Sequence, residues 1–74
     1  MVVTTDIYEG AFCKVNGFPI GKVVSHDGVP VIEIRGEDDR IQKCIYDFHA
    51  GYGVNNVKLF CKEMGFIIYL LKHN

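Results

Sequence analysis

The stretch FPIGKVVSHDGVPVIEIR, residues 18–35, decides the fold. It is rich in valine and isoleucine, which suit a pleated, half-buried surface. At its centre, His26-Asp27-Gly28 separates two runs, Phe18 to Ser25 and Val29 to Arg35, and Asp-Gly is a strong signal for a tight turn. In the second run isoleucine alternates with charged residues, so one face of that strand is buried and the other is wet. The stretch therefore predicts an antiparallel β-hairpin.

A helix is expected before the hairpin, from about Asp6 to Val15. The residues Thr4-Thr5-Asp6 offer oxygens that cap its first N–H groups, and Asp6 with Glu9 has the spacing of a capping box. Apolar side chains then recur at helical spacing, at Ile7, Ala11 and Val15. Asn16-Gly17 supplies a left-handed stop.

A second helix is expected after the hairpin. The acidic segment Gly36-Glu37-Asp38-Asp39 leads into it, and carboxylates suit the positive end of a helix dipole. The helix ends at Ala50-Gly51. Its apolar residues stand at i, i+3, i+4 and i+7, at Ile41, Cys44, Ile45 and Phe48. This spacing predicts a single stripe that faces the core.

The last helix is expected to start at Asn55 or Asn56 and to run to about Lys72. One apolar face consists of Val57, Phe60, Met64, Ile67, Ile68 and Leu71. A second, narrower stripe consists of Leu59, Phe66 and Leu70. A helix that is apolar on two sides is buried on both, and a short chain has little else to cover the second side. We therefore expect a homodimer with Leu59, Phe66 and Leu70 in its interface.

The segment Phe66 to Leu71, FIIYLL, has a second interpretation. If Gly65 ended a shorter helix, this segment would form a third strand beside the hairpin. Periodicity does not separate a buried strand from a buried helix over so short a run. We prefer the helix because, apart from Gly65, no cluster of turn residues precedes the segment.

Four residues lie between the two apolar stripes of the last helix and form a basic strip. They are Lys58, Lys62, Tyr69 and Lys72. Lysines in such a strip contact phosphates, and a tyrosine ring stacks on a base. Lysine stems also commonly cover apolar surface while their ammonium groups stay in water. Because the net charge of the chain is -1, nucleic-acid binding is the alternative function here and not the favoured one.

The cysteines Cys13, Cys44 and Cys61 are odd in number and contain no CxxC pair, which favours a reducing compartment over a disulfide framework. Cys44 and Cys61 are expected to be small core side chains. Cys13 falls on the polar side of the first helix and is the best candidate for an exposed thiol, with its reactivity left open. The histidines show no ligand spacing, so no metal, cofactor or catalytic residue is predicted.

The chain is expected to form one domain over residues 1–74. The first residues carry no secretory pattern. The longest apolar run, residues 64–71, is far shorter than the roughly 20 residues that span a bilayer. We expect a cytoplasmic protein without a membrane segment.

Several short motifs are spread over most of the chain, at Thr5-Asp6, Ala11, Asn16-Gly17-Phe18, Ile32-Glu33-Ile34 and Val54-Asn55. Together they resemble an uncharacterised family of short bacterial and phage domains. Members of that family have a T-x-D helix start, a central strand pattern and a closing helix, so the resemblance implies a helix over residues 66–71. It brings no activity, ligand or site residue with it.

These features predict an α+β fold with the element order α-β-β-α-α, in which the helices cover one face of a two-stranded antiparallel sheet. The favoured function is a non-enzymatic protein-interaction module that homodimerises through the last helix. The alternative is a nucleic-acid-binding accessory or regulatory protein of a phage or mobile element that uses the basic strip.

Overall fold

Three strands and three helices follow one another in the computed structural model, which describes residues 1–51 and 53–73. They are β1 (Val2–Thr4), α1 (Ile7–Val15), β2 (Ile20–His26), β3 (Val29–Ile34), α2 (Asp38–His49) and α3 (Val57–Lys72). The strands form one antiparallel sheet in the order β1-β3-β2. The predicted α+β class is therefore confirmed.

The hairpin is confirmed, with a turn of two residues. Asp27 and Gly28 both have positive φ angles, 52° and 80°. This is the backbone of a type I′ turn, which matches the twist of the flanking strands. Val23 lies opposite Ile32, and His26 lies opposite Val29. The register shifts between Ile20 and Val23, so β2 bends near its start.

The sheet has a third strand that the sequence analysis missed, and it comes from the N-terminus rather than from residues 66–71. In β1, Val2 pairs with Ile34 and Thr4 pairs with Ile32. A strand of three residues is too short to show an alternating pattern in the sequence. It forms because it pairs with the free edge of β3. The two-stranded sheet was therefore an incomplete prediction.

The start of α1 differs in detail from the predicted cap. Asp6 is the N-cap, and its Oδ1 accepts from the backbone N–H groups of Tyr8 and Glu9 at 2.8 and 3.4 Å. Thr4 belongs to β1, and its hydroxyl accepts from the N–H of Asp6 at 3.1 Å. The capping box is thus only half formed, because Thr4 occupies the N–H group that Glu9 would have reached.

All three helices pack on the face of the sheet that carries Ile32 and Ile34. One cluster joins Ile34 to α1 and α2, and the other joins Ile32 to α1 and α3. The approach is closest at Gly10 in α1, where an added Cβ would lie 3.3 Å from side-chain atoms of both Ile32 and Ile67. α1 is therefore the central helix of the layer, with α2 and α3 on either side.

The C-terminal segment is helical, so the alternative of a third strand over residues 66–71 is wrong. Asn56 caps α3 by accepting from the N–H of Leu59 at 3.0 Å. The buried face is rotated from the predicted one. It centres on Ile67, and Leu70 joins it. Val57 and Ile68, placed in the core face by the sequence analysis, are instead 65% and 37% exposed.

Two cysteine predictions are wrong, and the position of each helix explains why. Cys13 is fully buried, because the central helix α1 is covered by the sheet, α2 and α3 and has no free polar side at this position. Cys61 is exposed, because α3 is covered on one side only. Cys44 is buried in α2, as predicted. Within the described residues, no helix has both the length and the apolarity that a membrane crossing requires.

Candidate functional site

The outward face of α3 carries the basic strip. Lys58, Lys62, Tyr69 and Lys72 are all exposed, as the sequence analysis expected. Gly65 lies among them, and a Cβ added there would meet nothing within 4 Å. The Tyr69 ring contacts the ring of His73, with centroids 4.3 Å apart and the two planes tilted by 34°. From Lys58 to Lys72 the strip extends over about 21 Å, at 1.5 Å per residue.

The carboxylate of α3 is turned away from this strip. Glu63 is the acid of the helix, and its side chain is largely buried beside α1. Its Oε2 lies 3.1 Å from Nζ of Lys14 and forms an ion pair with it. Among the described residues, no hydrogen-bond donor is aligned with this oxygen. The same ammonium lies 5.4 Å from the centre of the Phe66 ring. The outward face of α3 therefore presents lysines with no carboxylate of its own helix among them.

A groove of about 610 Å³ opens beside the first turn of α3. We call it the large groove. It lies between the end of α1, the outer side of α2 and residues 53–56. Phe12 and Phe18 contribute its aromatic surface, and Arg40 and Lys43 contribute its cations. Three amides complete its polar lining, those of Asn16, Asn55 and Asn56.

The local structure explains how Phe18 reaches this groove. α1 ends in a Schellman motif, in which the N–H of Gly17 bonds to the carbonyl of Lys14 and the N–H of Phe18 bonds to that of Cys13, both at 3.0 Å. Gly17 has a φ of 95°, which a residue without a Cβ adopts freely. The turn places Phe18 against α2, where the Arg40 guanidinium lies 5.5 Å from the centre of its ring.

A second groove of about 410 Å³, which we call the small groove, adjoins the large one. It is lined by Lys58 and Lys62 and shares Asn56 and Leu59 with the large groove. Among the described residues, the two grooves together hold four cations and one carboxylate, that of Asp47. Asp47 pairs with Lys43 at 3.1 Å. The near-neutral chain thus concentrates positive charge on one side.

The three predicted interface residues do not form a uniform exposed stripe. Leu70 packs against the cluster of Ile32 and Ile67. Leu59 is half-buried and lines both grooves. Phe66 is 43% exposed. The two-sided apolar pattern of α3 is therefore partly accounted for within a single chain.

No protein-family model, curated protein or solved structure matches this chain. Its function must be inferred from its own residues.

A polar cluster that the sequence analysis missed joins α1 to α2. The ligand atoms of Asp6, Glu9 and His49 lie within 4.8 Å of one another. His49 Nε2 is 2.5 Å from one Glu9 oxygen, and the Thr4 hydroxyl donates to the other. An imidazole and carboxylates suit a divalent cation. The positive end of the α1 dipole disfavours a cation at this place, and the Glu9 carboxylate already bonds to His49 and to Thr4. We therefore interpret the cluster as polar contacts that join α1 to α2.

Two buried thiols, Cys13 and Cys44, lie in the same core cluster. Burial raises the pKa of the Cys13 thiol well above its ordinary value, and the neighbouring Cys44 and Glu9 act in the same direction. Burial also raises the pKa of Cys44, although the neighbouring Cys13 partly offsets this. Because the thiolate is the reactive form, these groups are arranged as inert core side chains.

Sequence reasoning found the lysines and the tyrosine of α3 but missed Arg40 and Lys43. These two residues come from α2, and only the folded chain brings them to the first turn of α3. One sequence signal was present. Arg40 and Lys43 are three residues apart, so they share one side of α2 next to its core stripe.

Proposed function

We propose that this protein is a small binding module and that its partner is a nucleic acid held along the outward face of α3. One observation carries the proposal. The strip formed by Lys58, Lys62, Tyr69 and Lys72 is exposed and continues, through shared groove residues, into the cations Arg40 and Lys43. Lysines at this spacing suit a phosphate backbone, and exposed aromatic rings suit bases.

Charge favours an anionic partner over a second copy on this face. If α3 packed against itself around a two-fold axis at Gly65, Lys58 of one copy would face Lys72 of the other. Like charges placed opposite one another destabilise an interface. A phosphate backbone would instead neutralise the same lysines. The charge of this face therefore favours nucleic-acid binding over the self-association that the sequence alone favoured.

The expected binding is modest and strongly dependent on salt. With four phosphate contacts on a single strand, affinity should fall roughly fifty-fold between about 50 and 200 mM salt. Replacing both Lys58 and Lys62 with glutamine should lower the slope of log affinity against log salt by about 1.4, the value for two lost contacts. Fluorescence anisotropy with a short labelled oligonucleotide measures both quantities.

Lys22 provides the matched control. It is an exposed lysine on β2, outside both grooves. Lys22→Gln changes the net charge by half as much as the double variant and should leave the salt slope unchanged. No binding at low salt, or a fall in the salt slope for Lys22→Gln that is half as large as that for the double variant, would contradict the proposal.

A second candidate function is self-association as a non-enzymatic interaction module. The observation that favours it is the apolar surface left on α3, where Val57, Phe66 and Ile68 remain exposed. Phe66→Glu should then shift a dimer to monomer in sedimentation equilibrium, because it places a charge in the apolar contact. Leu70→Glu is less informative because Leu70 also packs in the core. A wild-type chain that stays monomeric at high micromolar concentration would exclude this function.

A further inference from the structure

The large groove differs from the basic strip in being a recess, and the side chains of Phe12 and Phe18 line it beside its cations. Its volume of about 610 Å³ lies within the range of small-molecule sites, roughly 300 to 1,000 Å³. A phosphate backbone binds to exposed cations on a surface and does not require a recess. The combination of a recess, aromatic rings and cations suits a ligand that has both a flat ring and a phosphate.

Two planar groups in this groove, the Phe18 ring and the Arg40 guanidinium, lie against each other and form one layer. The guanidinium lies 5.5 Å from the ring centre, within the range of a cation–π contact. Both aromatic rings and guanidinium planes are surfaces on which unstacked bases pack. Phe18 is half-buried and Arg40 is exposed, so the layer is fixed on its inner side and open on its outer side.

The amides around this layer suit the edge of a base. The Asn16 amide nitrogen donates to the Phe12 carbonyl at 2.8 Å, which leaves its oxygen to accept from a ligand. Asn56 uses its Oδ1 to cap α3, which leaves its amide nitrogen to donate. Lys43 beside Asp47, together with Lys58 in the small groove, provides cations for the phosphate.

We propose that the large groove binds one unstacked nucleotide, with its base on the layer of Phe18 and Arg40, and that the partner is therefore single-stranded. This inference rests on the proposed function and narrows it. A duplex keeps its bases stacked and paired, so it offers the lysine strip its phosphates but offers the groove nothing. A free nucleotide has the same chemistry as the unstacked unit and is a second source of ligand.

Arg40→Lys is the decisive variant, because it keeps the positive charge and removes the plane. The binding of wild type and variant is measured by anisotropy with three probes of equal length: a single strand, a duplex and an abasic strand that has the phosphates without the bases. We expect the variant to lose about fivefold or more on the single strand, the lower end of the loss for one stacked base. On the duplex and the abasic strand the loss should be smaller than on the single strand, because lysine keeps the positive charge of Arg40.

The outcomes separate this inference from the proposed function. Equal wild-type binding to all three probes, with no effect of Arg40→Lys and a loss in the variant of Lys58 and Lys62, would overturn the groove inference alone. An absence of binding to every probe would overturn both. Competition by adenosine monophosphate that is lost in Arg40→Lys would support the groove and identify a free nucleotide as a source. Circular dichroism confirms that Arg40→Lys is folded, and folding is expected because the side chain is exposed.

Discussion

The first and third helices are both apolar in sequence, yet the fold uses them in opposite ways. α1 contacts the sheet and both other helices, and four consecutive residues, Gly10 to Cys13, are buried. In α3 only Ile67 is buried to that degree among the described residues, and the opposite face carries lysines. The comparison shows that burial follows from the place of a helix in the layer more than from its composition. The central helix is a core element, and the outer helix provides a surface.

The largest expected difference between these helices is in thiol reactivity. In the native protein, Cys61 of α3 should react promptly with a thiol reagent. Cys13 of α1 is fully buried and should react at least about a thousandfold more slowly, because it becomes accessible only in the unfolded fraction of roughly 10⁻³ or less. Mass spectrometry of labelled peptides over time measures the rates.

Denaturant gives the control for this labelling. Once the chain is unfolded, all three cysteines should react at similar rates, because burial then no longer separates them. If Cys13 reacted in the native protein as fast as Cys61, α1 would not be the central helix. The sequence-based expectation of an exposed Cys13 would then stand.

Sequence reasoning succeeds for elements whose signals are local and fails where the structure depends on neighbouring elements. The hairpin was predictable because Asp27-Gly28 and the alternating isoleucines are local signals. The core stripe of α2 was predictable because an outer helix has one buried face. Cys13 was not, because helical periodicity assumes one covered side and α1 has several. β1 was missed for a related reason, since three residues acquire their structure from β3.

The candidate site divides in the same way. Lys58, Lys62, Tyr69 and Lys72 could be predicted because one helix places them in register. The large groove could not, because its flat layer joins Phe18 to Arg40 across 22 positions of the chain, and that contact depends on how α1 and α2 pack. Patterns within one element are thus readable from sequence, whereas sites between elements require the fold.

The next prediction compares a glycine in each helix. Gly10→Val in α1 should lower the free energy of unfolding by about 1 to 3 kcal/mol, because even a Cβ there lies 3.3 Å from Ile32 and Ile67 and the added methyl groups overpack the contact. Urea denaturation followed by circular dichroism measures the change. Stability equal to that of wild type would mean that α1 does not approach the sheet and α3 as closely as described.

Gly65→Ala in α3 is the matched control. A Cβ at this position meets nothing within 4 Å. Alanine favours the helix over glycine by up to about 1 kcal/mol, so this variant should be slightly more stable than wild type. A loss of stability at Gly65 would indicate that this face of α3 is covered in solution. That result would favour self-association over a free binding surface.

A further expected effect is a loss of stability in alkali, and it depends on the burial of Cys13 in α1. Burial raises the pKa of the folded Cys13 thiol above its ordinary value of 9.0, so the folded state keeps a proton that the unfolded state releases. The stability due to this thiol is therefore complete below about pH 9 and declines as the pH rises further. For one thiol the loss reaches about 1.4 kcal/mol at pH 10. Urea denaturation at pH 7 and pH 10 should show that Cys13→Ala, whatever its cost at neutral pH, loses less between the two than wild type. An equal loss would mean that the folded and unfolded Cys13 thiols titrate together. Cys13 would then not be buried as the structure shows it.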